Sequence, residues 1–186
     1  MNHLLPKEGL GLEIGAGTGI FAENLTKKTR TVICLDISRL MLVKAKQRGL
    51  HTIQGSATSM PIRLETLDFS YMITAIEFID DPLKMLNETK DSLKTNKPLV
   101  TLFINKKSPW GQLYAKMGEN KDPVFSNAHL YDYDEIAKKL NKSGYKIVKH
   151  LGTLTSGPDE ENPGDRLSSK YSIVGVIAVK SIKKNS

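Results

Sequence analysis

The chain of 186 residues is poor in cysteine and aromatic residues and has no long apolar run. Its one cysteine, Cys34, cannot form a disulfide within the chain, and we expect a small buried thiol there. No apolar stretch is long enough to span a bilayer, and the start Met-Asn-His-Leu-Leu-Pro lacks a secretory-signal pattern. We therefore expect a cytoplasmic protein with no membrane partner. No cysteine or histidine spacing suggests a metal site, so we expect no metal.

The length and a hydrophobic content of 39% fit one soluble domain spanning residues 1–186. The net charge of +7 raises the alternative of a nucleic-acid partner. The lysines are spread along the chain, however, and no aromatic residues are interleaved with them to stack on bases. A solvated basic surface is the preferred interpretation, and salt-dependent binding to RNA or DNA would favour the alternative.

The most informative segment is Leu12-Glu-Ile-Gly-Ala-Gly-Thr-Gly19, which follows a short apolar run and precedes a helical pattern. Glycine allows a sharp turn and a close approach of the backbone to a ligand, and the next helix presents free N–H groups there. A strand, a glycine turn and a helix start are typical of the nucleotide-binding corner of an α/β sheet. A glycine turn without a ligand is the alternative.

The glycine spacing argues against a dinucleotide. That fingerprint places glycine at the first, third and sixth positions, whereas counting from Gly15 puts Ile20 at the sixth. Glu13 precedes the loop, where a carboxylate would repel a pyrophosphate but suit a ligand that carries positive charge. Asp36 ends the apolar run Thr31–Leu35 about 20 residues later, as expected for an acid that binds ribose hydroxyls. Asp36 could instead cap the following helix, although Ser38 can serve as that cap.

Strand and helix patterns alternate along the chain, which predicts a parallel sheet with right-handed crossovers. After residue 130 the pattern changes to a helix near Tyr133–Ser143 followed by two β-rich runs. We expect a loop at 156–168 and a frayed basic tail at 181–186. The predicted strands are Leu10–Ile14, Thr31–Leu35, Thr52–Gln54, Phe69–Thr74, Leu99–Ile104, Tyr145–Leu151 and Ser172–Ala178, and the predicted helices before residue 130 are Ile20–Thr26, Arg39–Arg48 and Leu83–Ser92.

Seven segments in order resemble the class I S-adenosylmethionine-dependent methyltransferases, of the small-molecule type related to the ubiquinone and menaquinone biosynthesis enzymes. They are Glu13-Ile-Gly-Ala-Gly-Thr-Gly19; Leu35-Asp-Ile-Ser38 with Met41; Gln54-Gly-Ser-Ala57 with Met60-Pro61; Leu67-Asp-Phe69 with the strand to Ile76; Asp80-Asp-Pro-Leu83; Leu93-Lys94 with Pro98, similar to the family's "LKPGG" turn; and Tyr133-Asp-Glu-Ile136 with Ser143-Gly-Tyr145. The resemblance implies an α/β, Rossmann-like, doubly wound and mostly parallel seven-stranded sheet with a C-terminal antiparallel hairpin strand. It also implies S-adenosylmethionine as the cofactor.

The resemblance assigns roles to residues of the motifs. Glu13 is expected near the cofactor's ammonium, the backbone of Gly15, Ala16 and Gly17 against its methionine part, and Asp36 on the ribose. Apolar surface for the adenine would come from Ile37 and Met41, for which core packing is the alternative. The other implied contacts are Ser56 and Ala57 at the adenine edge, and Thr74, Ala75 and Ile76 near the transferred methyl group.

Two features depart from the family. Ser56 stands where relatives usually have an acid that accepts the adenine amino group, and an uncharged hydrogen bond is weaker by ~1 kcal/mol. Relatives usually carry helices before the first strand, which here begins at about Gly9. We therefore expect either an open pocket or a cover supplied by Lys106–Asn127 and a partner, a second copy included.

The segment 105–130 is the predicted insert over the acceptor site, because it follows the fifth strand at the carboxyl end of the sheet. It contains Trp110, Tyr114, Met117 and Phe125, and an amphipathic lid packed on the core is an equal alternative. Methyl transfer needs a base only if the acceptor is still protonated. The candidates for that base are Glu77, His129 and Tyr131, although packing roles are the commoner explanation.

The sequence therefore predicts an S-adenosylmethionine-dependent methyltransferase that acts on a small molecule by in-line displacement. The second hypothesis is a non-catalytic subunit or sensor that binds the cofactor with the same fold. A nucleic-acid-modifying enzyme is third, because the chain has neither the Asn-Pro-Pro-Tyr type segment nor the Pro-Cys nucleophile of the base-modifying relatives. The sequence does not choose between oxygen, nitrogen, sulfur and carbon acceptors.

Overall fold

The computed structural model describes residues 3–158, 167 and 174–183, and strands alternate with helices through most of this range. The strands are β1 Gly9–Ile14, β2 Arg30–Asp36, β3 His51–Gln54, β4 Phe69–Ile73, β5 Pro98–Ile104, β6 Tyr145–Thr153 and β7 Val176–Lys183. The helices are α1 Ile20–Leu25, α2 Arg39–Gln47, α3 Pro82–Ser92, α4 Pro109–Glu119 and α5 Tyr133–Lys142, with 3₁₀ turns at Ile76–Phe78 and Phe125–Asn127.

The seven strands form one sheet in the order β3-β2-β1-β4-β5-β7-β6. Neighbouring strands from β3 to β5 pair in parallel, and β7 pairs antiparallel with both β5 and β6. This confirms the predicted mostly parallel, Rossmann-like sheet with an antiparallel C-terminal hairpin. The chain moves outward from β1 to β3 and then returns to β4, so the strand order reverses between β1 and β4. Ligands of such sheets bind at the carboxyl ends of the strands beside this reversal.

Each face of the sheet is covered by helices. Side chains alternate in direction along the strands, so each strand contributes apolar side chains to a core on either face. Leu12 and Ile14 of β1 and Met72 of β4 point to the face that packs on α3 and α5. Phe69 and Tyr71 of β4 point to the opposite face. The helix residues in the first core are Met85, Leu86, Ile136 and Leu140, and those in the second are Ala22, Leu25, Leu42 and Ala45. The result is a three-layer α/β/α arrangement.

Helix α5 begins and ends where the sequence predicts. Asp132 and Glu135 form a capping box, in which each carboxylate accepts a hydrogen bond from the other residue's backbone N–H, at 2.9 and 2.8 Å. The helix is followed by Gly144 with φ +81°, a conformation that glycine adopts without a steric penalty.

The last strand extends further than predicted. It runs to Lys183, so the predicted frayed tail at 181–186 is wrong for its first three residues. Pairing with β5 reaches Ile182 opposite Pro98, and the buried hydroxyl of Ser181 donates to the Leu99 carbonyl at 3.3 Å. These contacts are long-range, which is why the basic composition of the segment did not reveal them. Residues 184–186, Ser172 and most of the predicted loop 156–168 lie outside the described residues.

No helix among the described residues is long and apolar enough to cross a membrane.

Candidate active site

The glycine loop joins β1 to α1 through three residues in the left-handed region, where glycine is favoured. Gly15, Gly17 and Gly19 have φ values of +67°, +55° and +76°. The N–H groups of Gly15 and Ala16 both donate to the Leu35 carbonyl, at 2.9 and 3.1 Å, so the loop is fixed to the end of β2. A Cβ on Gly15 would lie 2.6 Å from the Cβ of Ala75. Only glycine therefore lets this loop approach the end of β4.

Asp36 ends β2 and holds the chain on both sides of the site. Its Oδ2 accepts a hydrogen bond from the Gly17 N–H at 2.7 Å, and its Oδ1 accepts one from the Ser38 N–H at 2.8 Å. Ser38 caps α2 by accepting from the Met41 N–H at 3.4 Å, so Asp36 is not the cap. A carboxylate oxygen can accept more than one hydrogen bond, which leaves Asp36 with capacity for ligand hydroxyls.

A cavity of about 490 Å³ opens beside this loop, at the reversal of strand order. Seven of the predicted cofactor-binding residues line it: Gly15, Asp36, Ile37, Ser56, Ala57, Thr74 and Ala75. They come from the ends of β1, β2, β3 and β4. The tertiary structure thus brings together residues as far apart in the chain as Gly15 and Ala75, which are separated by 60 positions.

Five predicted cofactor-binding residues do not line the cavity: Glu13, Ala16, Gly17, Met41 and Ile76. Ala16 and Ile76 are buried in the two cores, and Met41 is exposed on α2. The Gly17 N–H is bound to Asp36. Motif spacing could not distinguish these five residues from the seven that line the cavity, because adjacent residues of a loop can point in opposite directions.

Glu13 is buried beneath the glycine loop and is 1% exposed. The phenol of Tyr71 donates to its Oε2 at 3.0 Å. Burial raises the pKa of the Glu13 carboxyl to about 7, against the opposing effect of the Tyr71 hydrogen bond. Burial also raises the pKa of Cys34 to about 12, with a further contribution from the charge of Glu13. Cys34 is therefore a buried, protonated thiol, as the sequence predicts.

The segment after β3 contributes a pair of hydroxyl groups to the cavity wall. The oxygens of Ser56 and Thr58 lie 2.9 Å apart, and the Thr58 N–H donates to the Ser56 hydroxyl at 3.2 Å. Sequence reasoning identified Ser56 but missed Thr58. A hydroxyl can donate and accept, so the pair can still accept a hydrogen bond from an adenine amino group without an acid.

Sequence reasoning also missed Leu35 and Gly55 in the cavity wall, and five lining residues that follow β4: Phe78, Ile79, Asp80, Asp81 and Lys84. The resemblance had marked Asp80 and Asp81 only as the start of a helix, and Asp81 does cap α3 by accepting from the Lys84 N–H at 3.0 Å. Their position after a parallel strand that ends beside the strand-order reversal is a signal that could have identified them.

The three candidate bases lie together, outside the cavity wall. Glu77 is buried in the 3₁₀ turn after β4, and the N–H of His129 donates to its backbone carbonyl at 2.7 Å. The exposed ring of His129 packs on the ring of buried Tyr131 with a centroid separation of 4.5 Å. Burial raises the pKa of the Glu77 carboxyl to about 7, and burial also raises the pKa of Tyr131.

The insert 105–130 contains α4, whose Trp110 contacts the segments that follow β6 and precede β7. The indole N–H of Trp110 donates to the Ser156 carbonyl at 2.8 Å, and the Trp110 ring leaves no space for a Cβ on Gly175. Tyr114 stacks on Phe125 with a centroid separation of 4.4 Å. Among the described residues, none of the cavity's lining comes from the insert. The expected acceptor site at the insert remains a prediction.

The residues present fit S-adenosylmethionine. The glycine loop approaches the end of β4 without side chains, Asp36 offers carboxylate oxygens, and Ile37 provides an exposed apolar surface at the cavity wall. Among the described residues, no group of three or more histidine, cysteine or acidic side chains could hold a metal ion.

Residues 12–101 match the methyltransferase-domain family. An uncharacterised protein of Methanocaldococcus jannaschii is 30% identical over 179 residues, which cover 96% of this chain and 84% of that protein. An uncharacterised protein of Mycobacterium tuberculosis is 29% identical over 173 residues, or 90% of this chain and 59% of that longer relative.

A solved structure from Thermotoga maritima is 33% identical, with a TM-score of 0.88, and the match covers 98% of this chain and 85% of that one. It is described as an S-adenosylmethionine-dependent methyltransferase and a possible histamine N-methyltransferase. The fold, the cavity and these similarities lead to one conclusion: this chain belongs to the class I S-adenosylmethionine-dependent methyltransferases.

Proposed function

We propose that this methyltransferase transfers the methyl group of S-adenosylmethionine to a small-molecule acceptor. The observation that carries the proposal is the concave cavity of about 490 Å³ at the strand-order reversal, which joins the glycine loop, Asp36 and the end of β4. Its volume lies within the range of small-molecule sites, roughly 300–1,000 Å³.

In the proposed complex, Asp36 accepts the ribose hydroxyls, and Ser56, Ala57 and Ile37 surround the adenine. Gly15 and the adjacent loop lie against the methionine part, while Thr74 and Ala75 form the floor near the methyl group. The cofactor supplies a methyl group activated by its sulfonium. The protein then contributes mainly by aligning the acceptor in line with that methyl group and by excluding water.

Several lysines are paired with acids and are not free to bind phosphate, which supports a small acceptor over a nucleic acid. Lys94 and Lys97 lie 2.9 and 3.4 Å from Asp68, and Lys107 lies 2.8 Å from Asp132. Paired cations release fewer counterions on binding phosphate, so they contribute less affinity for RNA or DNA. The name of the Thermotoga maritima protein adds an amine as a first acceptor to test.

Exposed apolar side chains border the cavity and support a cover over the site. Ile37 is 74% exposed and Phe78 is 42% exposed, although both line the cavity, and the neighbouring Leu40 is 81% exposed. We propose that the acceptor, the insert or a partner, a second copy included, covers this surface in the working enzyme.

We also propose a cytoplasmic location, with which the single buried cysteine is compatible.

The test is a methyl-transfer screen with labelled S-adenosylmethionine. Its acceptors are three classes of small molecule (histamine and other small amines, phenols, and thiols), with tRNA and DNA tested beside them. Formation of S-adenosylhomocysteine together with a methylated product would support the proposal. Cofactor binding without transfer to any small molecule, tRNA or DNA would instead favour the non-catalytic subunit or sensor. Transfer to tRNA or DNA alone would contradict a small-molecule acceptor.

A further inference from the structure

Glu77 carries a buried carboxylate oxygen without a hydrogen-bond partner. The side chain is 1% exposed, and its Oε1 accepts a hydrogen bond from the Ile104 N–H at 2.7 Å. Its Oε2 is buried and accepts no hydrogen bond from another described residue, although the carboxyl also interacts with the backbone N–H of Glu77 itself, which lowers its pKa. Buried polar atoms are nearly always paired, and an unpaired buried acceptor loses its hydration without compensation. Glu77 Oε2 is thus available to accept a hydrogen bond from a ligand, a group that is not part of the described chain.

Glu77 lies where the cofactor cavity meets the insert. The residues around it in sequence, Ala75 and Phe78, line the cavity. Its side chain binds Ile104, directly before the insert, and its backbone carbonyl binds His129, near the insert's end. Glu77 therefore contacts both ends of the insert from the segment that forms the cavity floor. An acceptor held between the cofactor's methyl group and the insert would be next to this residue.

The charges around Glu77 favour a ligand that donates protons or carries positive charge. Two titratable residues from the segment before α5 lie beside it. The backbone N–H of His129 donates to the Glu77 carbonyl, and Tyr131 has a pKa that is raised by burial and then by the charges of Glu135 and Glu77. The two lysines that follow β5 are used elsewhere: Lys106 lies 3.7 Å from Glu135, and Lys107 lies 2.8 Å from Asp132. Within the described part of the chain, no ion pair to Glu77 is formed, so its negative charge is uncompensated.

We propose that Glu77 Oε2 binds the acceptor through an N–H group, and that the acceptor is a nitrogen nucleophile, an amine or an azole. A hydroxyl or thiol group could also donate to Oε2, but it becomes an anion beside this carboxylate when it is deprotonated for attack. This assignment rests on the proposed function, since it identifies the acceptor class of the same site. An anionic acceptor is disfavoured, because it would be placed beside an uncompensated carboxylate. A tertiary amine or a thioether would leave Oε2 unpaired.

The proton balance of the reaction agrees with this role. The nitrogen lone pair forms the new N–CH3 bond, the S–CH3 bond breaks, and its electron pair remains on sulfur as a thioether. The nitrogen becomes cationic and lies beside the Glu77 carboxylate, which stabilises the developing charge. The proton of the N–H then passes to Oε2, which leaves a neutral methylated product. The raised pKa of Glu77, about 7, suits a group that takes up a proton near neutral pH.

The burial of Oε2 has a consequence for access. A ligand reaches this atom only if part of the surrounding chain shifts, and the insert is the segment whose two ends contact Glu77. Acceptor entry is therefore expected to involve the insert, whereas cofactor entry through the open cavity is not.

The test compares the wild-type protein with Glu77→Gln. Glutamine retains a carbonyl oxygen for the Ile104 N–H but replaces the unpaired acceptor with an N–H2 donor. We expect S-adenosylhomocysteine affinity within about twofold of wild type and kcat/KM for small amines, histamine included, reduced at least tenfold. We also expect kcat of the wild-type protein to rise through about pH 7 as the Glu77 carboxyl ionises. This rise should be absent from Glu77→Gln and retained in Glu77→Asp. His129→Asn serves as the control, because it removes the titratable imidazole next to Glu77 and should leave the rise in place.

The outcomes separate this proposal from the proposed function. Transfer to phenols or thiols alone, or unchanged amine kinetics and pH profile in Glu77→Gln, would overturn the role of Glu77 while leaving a small-molecule methyltransferase. Failure of the wild-type protein to bind S-adenosylhomocysteine would contradict the proposed function itself. If Glu77→Gln does not fold, loss of the pH 7 rise in His129→Asn would overturn the assignment, and its retention there together with amine-specific transfer would support it.

Discussion

The carboxylate of Asp36 links the glycine loop, the start of α2 and the cavity. Because Asp36 binds the Gly17 and Ser38 N–H groups and is the proposed ribose ligand, Asp36→Ala should weaken S-adenosylhomocysteine binding while leaving the sheet intact. Loss of one charge-assisted hydrogen bond corresponds to about 1.5–3 kcal/mol, or roughly 10- to 100-fold in Kd. Isothermal titration calorimetry measures this change. Glu23→Ala, which removes only the exposed ion pair with Arg48, is the control. Unchanged affinity in Asp36→Ala would contradict the ribose placement.

Glu13 is predicted to make stability depend on pH. Its pKa is raised from 4.5 in the unfolded chain to about 7 in the fold, so the folded state binds the extra proton between these values. Stability from this group is fully present below pH 4.5 and is lost as pH rises toward about 7, by about 3 kcal/mol in total. Glu13→Gln keeps an acceptor for Tyr71 and removes the ionisation. We expect the variant to be more stable than wild type at pH 8 but not at pH 4 in urea unfolding. An equal difference at both pH values would contradict the raised pKa.

At the scale of elements, the glycine loop offers a matched pair of substitutions. Gly15→Ala and Gly17→Ala both place an alanine at positive φ, which costs about 1–2 kcal/mol. Only the Gly15 substitution also meets a neighbour, Ala75, whereas a Cβ on Gly17 has nothing within 4 Å. We therefore expect Gly15→Ala to be the less stable variant and to lose at least tenfold in S-adenosylhomocysteine affinity. Denaturant unfolding and calorimetry measure the two effects. Equal losses in both variants would show that the contact with β4 is unimportant.

The insert is expected to act independently of the cofactor cavity. Trp110→Ala removes the hydrogen bond to Ser156 and the packing on Gly175, and should destabilise the protein by at most about 3 kcal/mol because the indole is only partly buried. S-adenosylhomocysteine affinity should be unchanged, while methyl transfer should fall. If S-adenosylhomocysteine affinity fell as much as methyl transfer, the insert would contribute to the cofactor site.

At the scale of the whole molecule, ligand binding should stabilise the fold by mass action. At 100 times its Kd, S-adenosylhomocysteine should add about 2.7 kcal/mol. For a chain of this size that corresponds to a rise in Tm of roughly 5–11 °C. NAD should produce no shift, because the glycine spacing disfavours a dinucleotide. A thermal-shift titration with both compounds measures the difference, and an equal response to NAD would contradict the interpretation of the glycine loop.

Much of the fold could be predicted from sequence because its signals are local. Apolar strands of parallel sheets, the glycine loop and the capping residues of α5 each depend on neighbours within a few positions. The end of β7 could not be predicted in the same way. Its pairing depends on β5, about 80 residues earlier, and a basic composition alone gives no indication of that partner.

The sequence by itself determined the methyltransferase resemblance, the order of the strands and of helices α1, α2, α3 and α5, and the positions of the glycine loop, Asp36 and Ser38, whereas helix α4 was not predicted. Each of these follows from residue type and spacing. Only the tertiary structure decided which motif residues face the cavity and which, such as Glu13 and Ile76, face the cores. It also decided that Thr58 joins the site and that one oxygen of Glu77 is buried without a partner. The physical reason is that burial and hydrogen bonding are set by segments distant in sequence, whose packing no local pattern records.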